Sequence, residues 1–282
     1  MPEGDTIFRT ARALHRALAG RVVTRFESAF PGLTRVHEDT PIVGRTIDSV
    51  EPRGKHLLFA FSGDLFLRTH LRMNGLWGIY RPNELWRPSR QRILIATHNA
   101  VAVGFSIPVA EFLTARTLAR HKQLSTLGPD LAAEQFAPAD ALERLGTRRD
   151  EAIADALLDQ RAMAGIGNVF KSEVLFVAGV NPFARTGGLT DDELGRVVNV
   201  ARRLLRANAW DRPHGEWAGR RRTTTNSLSP QKALWVYGRA GQPCHRCGTT
   251  ILSRKTGLHA RVTYWCPTCQ PVEPVGAPKP PD

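Results

Sequence analysis

Apolar residues recur with two different periods along this 282-residue chain, and the change of period divides it. Near the start, Ile7, Ala11, Leu14 and Leu18 fall at helical spacing and predict a first helix ending at Gly20. From residue 21 to about 107 the runs are short and alternating or fully apolar: VVTRFESAF, KHLLFAF, DLFLRTHL, GLWGIY, QRILIAT and AVAVGF. Bounded by Gly, Pro, Asn and Asp, they predict a β-sandwich or barrel. Pro52-Arg53-Gly54 is a turn signal ahead of one strand and puts Lys55 at a strand mouth. An ammonium there either reaches into an adjoining cleft or is simply a solvated strand end. His70, Arg72, Met73 and Asn74 lie where DLFLRTHL gives way to a turn at Gly75. A methionine between an arginine and an amide reads as a contact surface or as a gap-filling core residue.

From about residue 108 the pattern becomes helical, punctuated by Pro108, Pro129 and Pro138. DEAIADALLDQRAMAGIGNVFKSEVLFVAGV reads as a helix, a turn at Gly165 and Gly167, and a second helix with Asn168 near its N-cap. Glycines before a helix start suit phosphate binding at the positive end of the dipole, and they equally suit an ordinary helical hairpin. Thr190-Asp191-Asp192-Glu193 is a capping box opening a third helix to about Asn208, whose apolar stripe marks it as structural. Residues 211 to 240, with Arg220-Arg221-Arg222, read as a mobile loop over a polyanion or as a solvated connection.

Composition narrows the class. A net charge of +13 and a pI near 10.5 point to a polyanionic partner, with nucleic acid the commonest. The 33 arginines against 6 lysines favour bidentate phosphate contacts only weakly, since base composition can skew that ratio. No apolar run is long enough to span a membrane, and MPEGDTIFRTARALHRALAG has neither an unbroken apolar segment nor a cleavage site, so a cytoplasmic, nucleoid-associated protein is expected. All four cysteines lie near the C-terminus, as Cys244-His245-Arg246-Cys247 and Cys266-Pro267-Thr268-Cys269, with 18 residues between. That spacing matches one structural Zn2+ held by four thiolates across a β-hairpin.

The first residues carry candidate covalent chemistry. Removal of Met1 would leave Pro2 as a secondary amine, which titrates near pH 8 against about 10.4 for lysine and can add to a sugar carbon. Glu3 then supplies a proton donor on the next residue. Alone, the pair also reads as an ordinary helix start.

Four collinear segments change that balance. Met-Pro-Glu-Gly at the start, Arg53-Gly54-Lys55-His56, QRAMAGIGNVFKSEVLFVAGVNP, and WVYGRAGQPC ahead of the four-cysteine finger resemble the formamidopyrimidine-DNA glycosylase and endonuclease VIII family over nearly the whole chain. The resemblance implies an α+β fold: an N-terminal two-layer β-sandwich with an N-terminal helix, then a helical domain with a helix-two-turn-helix motif and a β-hairpin zinc finger. Boundaries are expected at 1–115 for the catalytic sandwich, 116–130 for a linker, 131–239 for the helical domain and 240–270 for the finger, with a disordered tail over 271–282. DNA would lie between the domains.

By the same resemblance Pro2 is the nucleophile, Glu3 the proton donor to deoxyribose and Lys55 a phosphate-facing lysine. Asn168 and Arg261 match phosphate contacts flanking the lesion, Tyr237 and His70 look like further backbone contacts, and Arg72, Met73 and Asn74 resemble the residues that fill the space left by an everted base. The implied activity is bifunctional: base removal through a Schiff base on Pro2, then strand nicking by elimination. The implied partner is damaged duplex DNA, with single-stranded or bubble DNA left open, bound by a monomer. Two departures stand out. Asp5-Thr6 replaces the Pro-Glu common in relatives, and FSIPVAEF at 105–112 replaces the Arg-Arg-Phe-Gly loop of the purine-directed branch. The second favours the endonuclease VIII branch and oxidised pyrimidines. A purine-lesion glycosylase is the alternative; a noncatalytic relative is disfavoured by the presence of Pro2, Glu3 and Lys55 together.

Overall fold

The computed structural model describes residues 2–209, 222–225, 227, 229–257 and 260–272. Met1, residues 210–221, 226 and 228 of the basic stretch, residues 258 and 259, and the tail from residue 273 lie outside them. The chain divides into two compact units, one running to Ala132 and the other beginning at Ala133.

The first unit opens with α1 (Gly4–Leu18), whose buried Ile7, Ala11, Leu14 and Leu18 form the stripe expected from their spacing. Burying each of the larger three stabilises the fold by about 1.5–3 kcal/mol. The short strand β1 (Arg21–Val22) and β2 (Arg25–Ser28) follow, then α2 (Pro31–Asp39). The run VVTRFESAF divides into these two strands, and the helix follows it in a segment to which no run is assigned. Pro31 stands in its first turn, where a missing N–H costs nothing, and the Ser28 hydroxyl accepts the Phe30 N–H at 3.0 Å.

Next come β3 (Thr46–Arg53), β4 (His56–Phe61), β5 (Leu65–His70), β6 (Leu76–Tyr80), β7 (Gln91–Ala96), β8 (Val101–Phe105) and β9 (Val109–Leu113). They form two antiparallel sheets, β1-β3-β4-β5-β9 and β2-β7-β8-β6. Ile47, Leu57, Phe59 and Leu67 of the first sheet share one core with Phe26, Ile93, Ile95 and Ala102 of the second and with the α1 stripe. This is the expected two-layer sandwich, with the helix sealing its core.

The switch to helix comes later than residue 108. Val109–Leu113 pairs with β5 as β9, because Pro108 stands just before the strand, where no ladder donor is needed. The segment 116–130 carries α3 (which begins at Ala115: Ala115–Ala119) and α4 (Lys122–Ser125), and α3 packs on β5 and β9.

The second unit holds α5 (Pro138–Gly146), α6 (Ile153–Ala156), α7 (Asn168–Ala178) and α8 (Asp191–Ala209), then a hairpin of β10 (Leu252–Thr256) and β11 (Arg261–Trp265). The helix read from DEAIADALLDQ shortens to the single turn α6. Beyond it Asp159 holds Arg148 and Arg161, and Gln160 bonds Leu158 O, Ile166 O and Gly165 N–H, which hold the chain as turns. α8 starts with the expected capping box, Thr190 N–H to Glu193 Oε2 at 2.8 Å and Glu193 N–H to Thr190 Oγ1 at 3.3 Å. Among the described residues no helix is long and apolar enough to cross a membrane.

Candidate active site and metal centre

Pro2 is half-buried directly before α1, and Glu3, the N-cap residue of that helix, is fully buried. The Glu3 carbonyl accepts the Ile7 N–H at 3.0 Å, yet its carboxylate makes no capping hydrogen bond. A glutamate present only to start a helix would turn that carboxylate onto the first-turn amides. Asp5 is also fully buried and engages its own helix, 3.8 Å from Arg9 and accepting the Thr6 hydroxyl at 3.3 Å.

Lys55 stands at a hairpin tip. β3 continues through Pro52 and Arg53, paired with Leu57 and His56, so the turn is Gly54-Lys55 rather than Pro52-Arg53-Gly54. β1 pairs with this strand only at Thr46 and Ile47, so the open side tolerates the proline. Gly54 takes φ +57 in the two-residue turn, and its N–H donates to Asp130 at 2.7 Å.

His56 pairs in register with His70, which brings Lys55, His56, His70 and Arg72 to one end of the five-stranded sheet. Burial, then Arg68, Arg72 and Lys55, push the His70 imidazole down to about 4. Burial, then His70 and Arg68, push His56 down to about 2. Arg72, Met73 and Asn74 form the exposed β5–β6 turn, with Met73 56% exposed, so the methionine is a surface residue and not core. Gly75 is required there: a Cβ would lie 2.6 Å from Leu71 O.

Three of the remaining residues gather in the second unit. Asn168 is the first residue of α7, next to the N-cap Gly167, as its expected place near the cap implies. Its Nδ2 donates to Val262 O at 3.0 Å, while its buried Oδ1 has no hydrogen-bond partner among the described residues. Arg261 is exposed beside Val262 on β11, and the Tyr237 ring meets Tyr264 at 5.1 Å.

The metal-ligating atoms of Cys244, Cys247, Cys266 and Cys269 lie within 4.8 Å of one another. Sulfur separations of 4.0 Å for Cys244–Cys269, 3.4 Å for Cys247–Cys266 and 3.5 Å for Cys269–Cys247 bracket the edge of about 3.8 Å that a tetrahedral zinc with bonds of about 2.3 Å requires. The four thiolates fit a structural Zn2+ and leave it no open position. Phe176 of α7 packs against Val236, Cys244, Ile251 and Cys266, joining the knuckles to the helix.

Sequence reasoning missed the groups behind these residues. Arg68 sits in a run read as apolar strand, and its Nε donates to His56 Nδ1 at 3.2 Å, its Nη1 to Glu111 and its Nη2 to Gln123 Oε1 at 2.6 Å. An arginine on an otherwise apolar strand was the available signal. Glu173 of α7, fully buried, is the other, and only the helical stripe that encloses it could have marked it.

Three family models match the chain: the formamidopyrimidine-DNA glycosylase N-terminal domain over 1–119, its H2TH domain over 127–211, and a zinc finger found in FPG and IleRS over 241–272. The chain is 44% identical to a probable endonuclease 8 2 of Streptomyces coelicolor, covering 96% of this chain and 94% of that protein. It is 42% identical to the DNA-(apurinic or apyrimidinic site) lyase Nei2 of Mycolicibacterium smegmatis, over 96% and 99%. Among solved structures, the Lactococcus lactis Fpg complexed with abasic-site DNA shares the fold at a TM-score of 0.80 and 24% identity, over 96% of this chain and 100% of that one.

Proposed function

This chain belongs to the formamidopyrimidine-DNA glycosylase and endonuclease 8 family, and on that premise we propose that it is a bifunctional DNA glycosylase and abasic-site lyase of base-excision repair, directed mainly at oxidised pyrimidines. The observation that carries the catalytic part is Glu3, fully buried next to Pro2 and not spent on capping α1.

A base inside the duplex is out of reach, so the damaged nucleotide is everted first. Once Met1 is removed, the Pro2 amine attacks C1′ of the deoxyribose while Glu3 delivers a proton to the ring oxygen. The base leaves, and Pro2 holds the opened sugar as an iminium. The iminium acidifies the C2′ proton, whose loss expels the 3′ phosphate and breaks the strand. Lys55, His70, Asn168, Tyr237 and Arg261 hold backbone phosphates, which places the lesion without reading sequence. The zinc orders the finger that presents Arg261 and takes no part in the chemistry.

The pyrimidine preference is supported by the β8–β9 connection, Ser106-Ile107-Pro108, which has no room for a loop that reads the opposite base. Arg72, Met73 and Asn74, contiguous and exposed on one turn, then fill the vacated space alone. Borohydride trapping and single-turnover excision on matched duplexes test this. Thymine glycol, dihydrouracil and abasic sites should react faster than 8-oxoguanine opposite cytosine. Faster 8-oxoguanine excision with a strong demand for cytosine would place the chain in the purine-directed branch.

A further inference from the structure

The outer face of the β4-β5-β9 sheet buries a charge that none of these steps uses. Strand alternation puts Arg68 and His70 on one face, opposite Glu111 and His56, while Leu57, Phe59, Leu65 and Leu67 turn to the core. Arg68 is 4% exposed, and its guanidinium is engaged on every side. Besides His56, Glu111 and Gln123 it has Nε2 of His121, the N-cap of α4, 3.2 Å away, a nitrogen that is also 3.2 Å from Glu111 Oε1 and donates there. Removing one partner of a buried ion pair is costly, but an apolar replacement of the whole pair is often neutral, so stability alone does not account for it.

Hydrogen bonds also assign the tautomers. Arg72 N–H donates to His70 Nδ1 at 3.0 Å, Arg68 Nε–H to His56 Nδ1 at 3.2 Å and Leu124 N–H to His121 Nδ1 at 3.3 Å. A ring nitrogen that accepts carries no proton, so each of these imidazoles carries it on Nε2. The His56 and His70 rings meet edge-on with centroids 4.7 Å apart.

We propose that Arg68 is a positioning residue: by holding His56 against the His70 ring it fixes the direction of an imidazole whose Nε2–H, set by the Arg72 N–H on Nδ1, grips a DNA phosphate oxygen. The proposal rests on His70 being a backbone contact. The charges facing His70 agree with it. Burial comes first, and Arg68 on its own strand, Arg72 on the following turn and Lys55 at the hairpin tip also oppose a proton on the ring, against a backbone hydrogen bond of His70 itself that favours one; Glu111 is already paired with Arg68 and lies 3.2 Å from His121. The site's positive potential therefore comes from its guanidinium and ammonium groups, and the imidazole supplies direction.

Nitrogen and carbon NMR of the histidine rings in the full-length zinc-loaded protein is the direct test. Wild-type His70 should stay a neutral Nε2–H ring down to about pH 5, below the ordinary value of about 6.5. A wild-type ring that titrates near that ordinary value, or that carries its proton on Nδ1, overturns the proposal whatever the variants do. Arg68→Gln should raise the His70 titration by part of the interval, since burial, Arg72 and Lys55 remain. At pH 5.5, though not at pH 8, it should also steepen the salt dependence of binding to a duplex with a tetrahydrofuran abasic-site analogue by about one unit. Arg68→Lys keeps the charge and loses the fork, so it should keep the low titration and the tautomer of His70, which the Arg72 N–H sets, and lose the single tautomer at His56. His70→Gln separates the two ideas. Wild-type affinity in that variant removes His70 as a phosphate contact; weakened affinity beside an unchanged His70 ring in Arg68→Gln removes only the role of Arg68.

Discussion

Glu173 Oε1 lies 2.8 Å from the backbone nitrogen of Tyr237, and the same buried carboxylate takes the N–H groups of Val236 at 2.9 Å and Trp235 at 2.8 Å together with the Thr224 hydroxyl. Three successive amides that no strand or helix satisfies thus find their acceptors on one side chain of α7. The approach to the metal knuckles is thereby fastened to the helix that begins at Asn168.

Glu173→Gln puts an amide NH2 where one oxygen accepts, leaving at least one buried N–H unpaired. A loss of about 2–3 kcal/mol is expected from the desolvation of that donor. Urea unfolding of the purified protein checks it, and an unchanged midpoint would show that the four bonds carry no net stabilisation.

Pro2→Gly should lower borohydride trapping severely, because it removes the secondary amine. Glu3→Gln should abolish base release but spare part of the cleavage at a preformed abasic site, where no base remains to be expelled. The mass of the mature N-terminus is the companion measurement: a protein that retains Met1 and still traps fully would rule out Pro2 as nucleophile.

Chelation of zinc, or Cys266→Ser, should unfold the β10–β11 hairpin and weaken binding to lesion DNA, since the hairpin has little core beyond the knuckles. Arg261→Ala should retain one zinc per chain, read by metal analysis, yet bind less tightly and with a salt slope flatter by about one unit. Normal binding and cutting by the zinc-free protein would contradict both expectations.

Asp159 gives the acid limb of stability. Burial pushes its carboxyl up, but hydrogen bonds from Arg161 and Arg148 overcome that and hold it well below the usual carboxylate range. A depressed folded value stabilises the fold above the unfolded value of about 3.9, and that contribution fades as pH falls through the folded one. Asp159→Asn should therefore melt below wild type from pH 5 to 8, with the gap closing below about pH 3. Melting temperatures of both proteins across that range read it directly.

How far the sequence disclosed this architecture depended on the range of each interaction. The α1 stripe, the Thr190 capping box and the paired cysteine knuckles are local patterns and appear where expected. α2 was hidden because its nine residues hold few apolar side chains and bury only Leu33, and β9 because a proline precedes it. The partners of Arg68 lie 12, 43, 53 and 55 residues away, a separation that no periodicity reports. Asn168 falls near the cap as its residue type suggested, but its amide reaches β11, 94 residues away, which no local pattern reports.

The link between β8 and β9 also bears on how such a protein can diversify. Ile107, in the middle of those three residues, is 1% exposed and plugs the sandwich core, and Gly104 is bare to make way for it: a Cβ there would lie 2.5 Å from Ile107 Cδ1. Lengthening this link would draw the plug out and leave a cavity, at about 2–5 kcal/mol by the usual cost of deleting a buried isoleucine. An insertion at this link therefore carries a packing cost that one at the turn around Leu85, 94% exposed, does not. A longer β8–β9 link would have to bring its own apolar side chain to refill the place of Ile107.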